Sequence, residues 1–219
     1  MSKFRRASGR IAHSKRRLLR HIQAYPFDLL NRVRHGELAP QMWQTVWIDP
    51  AECRSCLYTG FRSGEVRAGD WDLMAVPLND LPKVAMCREH WLEGRGWEET
   101  GIFDYVLAGI ERTGRPESGC SSLEELERRY ARLDEMFLRI ASEGRLRSRL
   151  ELGAVAYSLR ERGGINVHLG RSGQPIFAGG GIHRLVVCQI LGLDRIPAAI
   201  GLVHKAALPA LSTSASEWG

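Results

Sequence analysis

Residues 122–144 constrain the fold of this chain more than any other stretch. Ser122-Leu123-Glu124-Glu125 has the form of a capping box, in which a hydroxyl accepts from a backbone N–H three residues on while the carboxylate reaches back. Leu123, Leu126, Tyr130, Leu133, Phe137 and Ile140 then recur at alternating spacings of three and four until Gly144 stops the pattern. A helix carrying that stripe has to bury it. At about three heptads it is short for a coiled-coil seam and reads as packing on the chain's own sheet.

The sheet is legible downstream. Ile165-Asn166-Val167-His168-Leu169 alternates as a half-buried strand, Gly170 to Gly173 forms a turn, and Gln174 to Ala178 is the return strand. The alternation places His168 on the face opposite the apolar set, which is expected to be solvent. A three-glycine turn, Gly179 to Gly181, leads into a helix from about Ile182 to Leu191 that stops at Gly192. Cys188 lies on its apolar side as a small buried hydrophobe. Ile196 to Val203 reads as a last, buried strand, with Pro197 near its start.

Upstream, Gln44 to Ile48 is rich in β-formers and ends at Asp49-Pro50, and Thr100 to Arg112 carries Ile102, Tyr105, Val106 and Ile110 on one helical side. These patterns together predict an α+β chain: a small mixed sheet with packed helices. Residues 41–50 and 121–205 supply that domain. Residues 1–40 read as a basic arm, partly helical or disordered. Residues 51–120 read as an inserted loop-rich and helical region, because periodicity is poor from Glu52 to Trp97 while Trp71, Trp91 and Trp97 recur as packing anchors. Arg145 to Arg162 fits neither period, and residues 206–219 form a flexible tail.

Charge is unevenly placed. Residues 1–35 hold ten Lys or Arg and one acid, Asp28, whereas the other 184 residues hold 21 basic and 24 acidic side chains. Within Ser2 to Arg20, Ile11, Leu18 and Leu19 fall at roughly helical spacing among the cations. Such a segment is either a solvated arm or a basic amphipathic helix for nucleic acid or an anionic membrane. No apolar run is long enough to cross a bilayer and the start lacks a secretion signal's apolar segment, so the expectation is a soluble, cytoplasmic protein.

Five cysteines, an odd number without a dense framework, point to reduced thiols. Cys53-Arg54-Ser55-Cys56 and Cys87-Arg88-Glu89-His90 have a spacing that can close a tetrahedral zinc site. Unrelated thiols and a surface histidine are the favoured alternative, since no glycine knuckle supports either pair.

The three-glycine turn is the chief candidate for ligand chemistry. Gly179, Gly180 and Gly181 let backbone approach a ligand, the amides of the helix start point toward it, and Arg184 adds a fork of donors beside His183. The alternative is a tight strand-to-helix turn with a solvated arginine.

The order of strand, helix ending Ile140-Ala141-Ser142-Glu143-Gly144, hairpin, Gly-Gly-Ile-His-Arg box, Leu191-Gly192-Leu193 and Ile196-Pro197 resembles the ParB/sulfiredoxin-like superfamily. The resemblance covers Leu123 to His204, with Val46 to Pro50 as a first strand. It implies a small α+β fold that binds nucleotide phosphates (ATP, ADP or CTP) through Gly180, Gly181, His183 and Arg184, with Mg²⁺ as companion. Ile182 stands where sulfiredoxins carry the reactive cysteine, which removes a thiolate nucleophile. Gly180 stands where many relatives have an acid. The partition clamps carry a paired-arginine version of the box and a helix-turn-helix domain after it, whereas this sequence ends about fifteen residues past its last strand, so a full partition protein is not expected.

The expected function is therefore nucleotide binding, with phosphoryl transfer to a small molecule or hydrolysis of a nucleoside triphosphate as the chemistry. A non-enzymatic module that uses residues 1–35 on nucleic acid or a membrane surface is the competing reading. A catalytic base would be a carboxylate near the acceptor. Asp49 and Glu52 are candidates because related kinases draw acids from the start of the domain, with Glu143 and Asp194 as alternatives. His204, just past the last strand, is a candidate neighbour of the cradle.

Overall fold

A computed structural model describes residues 24–149, 151–152, 164–209 and 211. The expected helix within Ser2 to Arg20, most of the stretch 145–162 that fits neither period, and most of the tail lie outside these residues. The first described element is a helix over residues 24–35, here α1. The others are β1 (Thr45–Ile48), β2 (Ser55–Cys56), β3 (Val66–Arg67), β4 (Val76–Pro77), α2 (Pro82–Glu93), α3 (Ile102–Thr113), α4 (Leu123–Glu143), β5 (Ile165–Leu169), β6 (Pro175–Phe177), α5 (Ile182–Ile190) and β7 (Ile196–His204).

The capping box forms with a one-residue offset. The Ser122 hydroxyl accepts the Glu125 N–H at 3.3 Å, and the Glu125 carboxylate accepts the N–H of Ser121, at 2.7 Å. Gly144 closes α4 in the left-handed region, its N–H on the Ile140 carbonyl. Of the stripe, Leu126, Tyr130 and Ile140 are buried.

The strands form one mixed sheet in the order β1-β7-β5-β6-β2-β4, with β3 pairing the end of β7. β7 runs parallel to β5 and antiparallel to β1, and β6 runs antiparallel to β5 and parallel to β2. α5 packs directly on the sheet, with α2 and α4 against it and α3 against α4. Ile165, Val167, Leu169, Phe177 and Ile200 face these helices in the main core.

Residues 51–120, expected as an insertion, contribute β2, β3, β4, α2 and α3 to this same sheet and core. The three strands are two residues each, too short for an alternation to be read from sequence.

His168 corrects the expectation of a solvent-facing ring. It does point away from the apolar set of β5, but that face is covered: His168 is fully buried with Trp71, Ile176 and Leu202, under the segment that carries Leu57 and Phe61. The ring of Phe61 meets His168 edge-on at 4.7 Å between centroids. A strand buried on both faces lets a polar residue alternate into a second core, where it needs a partner. His168 Nδ1 takes the Leu202 N–H at 2.9 Å.

Among the described residues, no helix is long and apolar enough to cross a membrane.

Candidate functional site

β6 ends at Phe177, and the chain must reverse onto α5 within four residues. It does so with φ of +86° at Gly179, +79° at Gly180 and +83° at Gly181, a region that disfavours residues with a Cβ. Sterics make Gly181 the most constrained. A Cβ there would stand 2.7 Å from the Gly164 carbonyl oxygen and 2.9 Å from the Ile165 Cα. Asn166 ties the turn to β5: its N–H donates to the Gly180 carbonyl at 3.3 Å and its own carbonyl accepts from Ala178 at 2.9 Å.

Gly181 also serves as the N-cap of α5, with no side-chain cap. By helix geometry, the first-turn amides have no intrahelical acceptor and the partial positive charge of the helix end is left facing outward. It faces a cavity of about 550 Å³. Gly180, Gly181, Ile182, His183 and Arg184 form one wall, and Leu133 and Met136 of α4 form an apolar one. Tyr58, Tyr105 and Phe177 add aromatic surface, with Tyr58 edge-on to Phe177 at 6.2 Å.

The charged lining is Lys83 from α2, Arg129 from α4, Arg184 from α5 and one carboxylate, Glu117. Glu117 is bonded to Lys83, and among the described residues three cations and one carboxylate line the cavity. Lys83 also lies over the Tyr105 ring, 5.9 Å from its centroid.

His183 is not one of these cations. Burial first, and then the nearby charges of Arg129, Lys83 and Arg184, push its pKa down to about 3, so its imidazole is neutral near pH 7. Its ring meets Tyr130 edge-on at 5.5 Å. Its Nε2 is buried without a hydrogen-bond partner among the described residues, as are His168 Nε2 and Arg88 Nε away from the cavity. Each is a buried polar group that costs the fold some stability.

The structure thus gathers Gly180, Gly181, His183 and Arg184 around one cavity, with Gly179 beside it against Tyr58. It does not bring Asp49 or Glu52 there. They lie toward the far end of α5, where Gln189 donates to the carbonyls of Pro50 and Cys53 at 2.9 and 3.1 Å, and Asp49 caps a short turn by accepting from Ala51 at 2.7 Å. Glu143 is paired with Arg147 at 2.8 Å, and neither it nor Asp194 lines the cavity. His204 is at the opposite end of the sheet, on the Gly69 carbonyl at 2.9 Å.

The cysteine set is also dispersed into other roles. Cys53, Cys56 and Cys87 are buried thiols of the main core, and burial pushes Cys53 and Cys87 up to about 12. Cys188 is buried and likewise raised to about 12. His90 stacks on Trp97 at 3.8 Å between centroids, with Nε2 on the Asp134 carboxylate at 3.0 Å and Nδ1 on the Arg95 carbonyl at 2.6 Å. Asp134 also accepts the indole N–H groups of Trp91 and Trp97, each at 3.0 Å. Among the described residues no His, Cys, Asp and Glu cluster is arranged to hold a metal.

Lys83, Arg129, Glu117, Tyr58 and Tyr105 were not foreseen as site residues. Arg129 carried a usable signal, since it adjoins Tyr130 on the border of the α4 stripe. Lys83 and Glu117 carried none, because their approach depends on how α2 and the loop before α4 pack. No protein-family model matches the chain, and comparison with curated proteins and solved structures returns no match either.

Proposed function

We propose that this chain is a nucleotide-binding protein of the ParB/sulfiredoxin-like kind, which holds the phosphates of ATP, ADP or CTP at the Gly179–Arg184 turn. The observation that carries the reading is the cavity itself: a cationic space of about 550 Å³ at an uncapped helix start, with aromatic walls. That volume falls within the range of small-ligand sites, and its division into cationic and apolar walls suits a phosphate chain attached to a flat base. The succession of β1, α4, β5, β6, α5 and β7 is also the order that the resemblance implies.

Arg184, Arg129 and Lys83 supply the charge, and neutral His183 packs beneath the turn without adding to it. Among the described residues one carboxylate lines the cavity, Glu117, and it pairs with Lys83. Mg²⁺ would accordingly arrive on the nucleotide's own phosphate oxygens, its usual mode. If its pairing with Lys83 yields, Glu117 is the candidate to take a proton from an acceptor hydroxyl or water, in keeping with phosphoryl transfer to a small molecule or hydrolysis.

Calorimetry with ATP, ADP and CTP, with and without Mg²⁺, tests the reading. Binding to the parent and loss of binding in Arg184→Ala is the expected result. Failure of all three nucleotides to bind a folded parent, or an unchanged affinity in Arg184→Ala, would overturn it.

A further inference from the structure

α1 turns large apolar side chains to solvent as well as toward the body. Buried Ala24 and the Phe27 ring, with the Arg62 guanidinium 5.2 Å from its centroid, face the body, and polar contacts fix the helix there: Asn31, buried, donates to the carbonyls of Pro40 at 2.9 Å and Gly64 at 2.7 Å, and the Asp28 carboxylate accepts the Met42 N–H at 2.8 Å. What it turns outward is apolar. Tyr25 is 76% exposed, Leu29 63%, Leu30 45% and Val33 76%.

At about 100° per residue, Tyr25, Leu29 and Val33 fall within an arc of about 80°, and Leu30 extends it by about 60°. Arg32, which pairs with the exposed Glu37 at 2.8 Å, borders one edge of this arc and Arg34 the other; such a solvent-exposed pair is weak and exchangeable. Long cationic side chains on both edges of an apolar face can reach lipid phosphates while the face itself enters the acyl boundary. The sequence adds eight Lys or Arg and no acid within the first twenty residues, immediately before this helix. Duplex nucleic acid would use those charges but would leave the apolar arc in water.

We propose that α1 docks the protein on an anionic membrane surface, with Tyr25, Leu29, Leu30 and Val33 entering the interface and Arg32 and Arg34 meeting the headgroups. The helix lies in the plane of the surface. Among the described residues no helix is long and apolar enough to cross a membrane. This site is separate from the nucleotide cavity and does not rest on that reading.

The test uses the full chain and vesicles of pure phosphatidylcholine or of equal parts phosphatidylcholine and phosphatidylglycerol. Co-sedimentation is expected with the anionic vesicles and to weaken in high salt, and the triple variant Tyr25→Ser, Leu29→Ser, Val33→Ser should weaken it by about tenfold or more. An independent readout is Leu29→Cys labelled with bimane, selective because the five native thiols are buried. Its emission should shift to the blue when anionic vesicles are added.

An unshifted emission from vesicle-bound protein, or a triple variant that is folded and binds as well as the parent, would overturn the proposal in favour of charge alone. A shift produced by duplex DNA, or by raising protein concentration without lipid, would overturn it in favour of nucleic acid or a second copy as the occupant.

Discussion

Gly201 leaves room for the ring of His168. A Cβ at position 201 would stand 2.5 Å from His168 Nδ1, the atom that accepts the Leu202 N–H at 2.9 Å. The absent side chain of one central strand thus makes possible the hydrogen bond that satisfies Nδ1 of a buried imidazole on the next. Gly201→Ala should displace the ring against Phe61 and Trp71 and break that bond. The expected loss is about 2–4 kcal/mol, from overpacking plus an orphaned polar group, measured by urea denaturation. A loss within error of zero would mean that the second core repacks freely around His168.

The buried imidazoles also fix a pH dependence. Burial lowers His168 to about 4 and His183 to about 3, whereas both titrate near 6.5 when unfolded. Above pH 6.5 they are neutral in both states and contribute no slope. As pH falls below 6.5 the unfolded chain takes up protons that the fold refuses, so stability declines by about 1.4 kcal/mol per pH unit for each histidine. The limb of His168 ends near pH 4 and that of His183 nearer 3. Urea midpoints between pH 7.5 and 4.5 should follow this decline, and His183→Gln should remove about half of it. A flat profile across that range would contradict the assignment.

How much of this was legible in the sequence depends on element length and on which faces are covered. α4, β5, β6, α5 and β7 were foreseen near their observed bounds because each carries enough residues to express a period, and the glycine turn because three consecutive glycines have few other uses. β2, β3 and β4 were not, since two residues cannot show an alternation. His168 was assigned its face correctly but not its burial. A period of two tells which side a residue takes, whereas the cover over that side comes from residues 57–75, about a hundred positions away in the chain. The same limit applies to the site. Gly180 to Arg184 are contiguous and announce themselves, whereas Lys83, Glu117 and Arg129 come from three separate segments.

A second acid-sensitive contact titrates in its own window. The Asp72 side chain is fully buried and accepts the backbone N–H of Arg171 at 2.9 Å and its guanidinium at 2.8–3.3 Å. The side-chain hydrogen bond from Arg171 is the main reason that its pKa is lowered to about 2 from the ordinary 3.8. The stability it contributes is complete above pH 4 and is lost as pH falls toward 2, a window that begins where the histidine limb of His168 is ending. Asp72→Asn should be less stable than the parent at pH 7 and show a shallower loss between pH 4 and 2, as followed by thermal melting. An unchanged acid limb would assign it to other carboxylates.

Glu117 offers a test that separates charge from proton transfer in the nucleotide reading. Its carboxylate offsets Lys83 at the cavity wall. Glu117→Gln removes one negative charge near the phosphate path, and one charge at several ångströms is worth about 1 kcal/mol at a partly solvated site. Nucleotide affinity should therefore rise by about threefold to tenfold, while Lys83→Met should lower it by a similar factor. If Glu117 also accepts the acceptor's proton, turnover by Glu117→Gln falls by about a hundredfold or more although binding improves. Tighter binding with lost turnover would identify a base, and tighter binding with turnover intact would leave Glu117 as a counter-charge. Equal affinities in parent, Glu117→Gln and Lys83→Met would remove this wall of the cavity from the phosphate path.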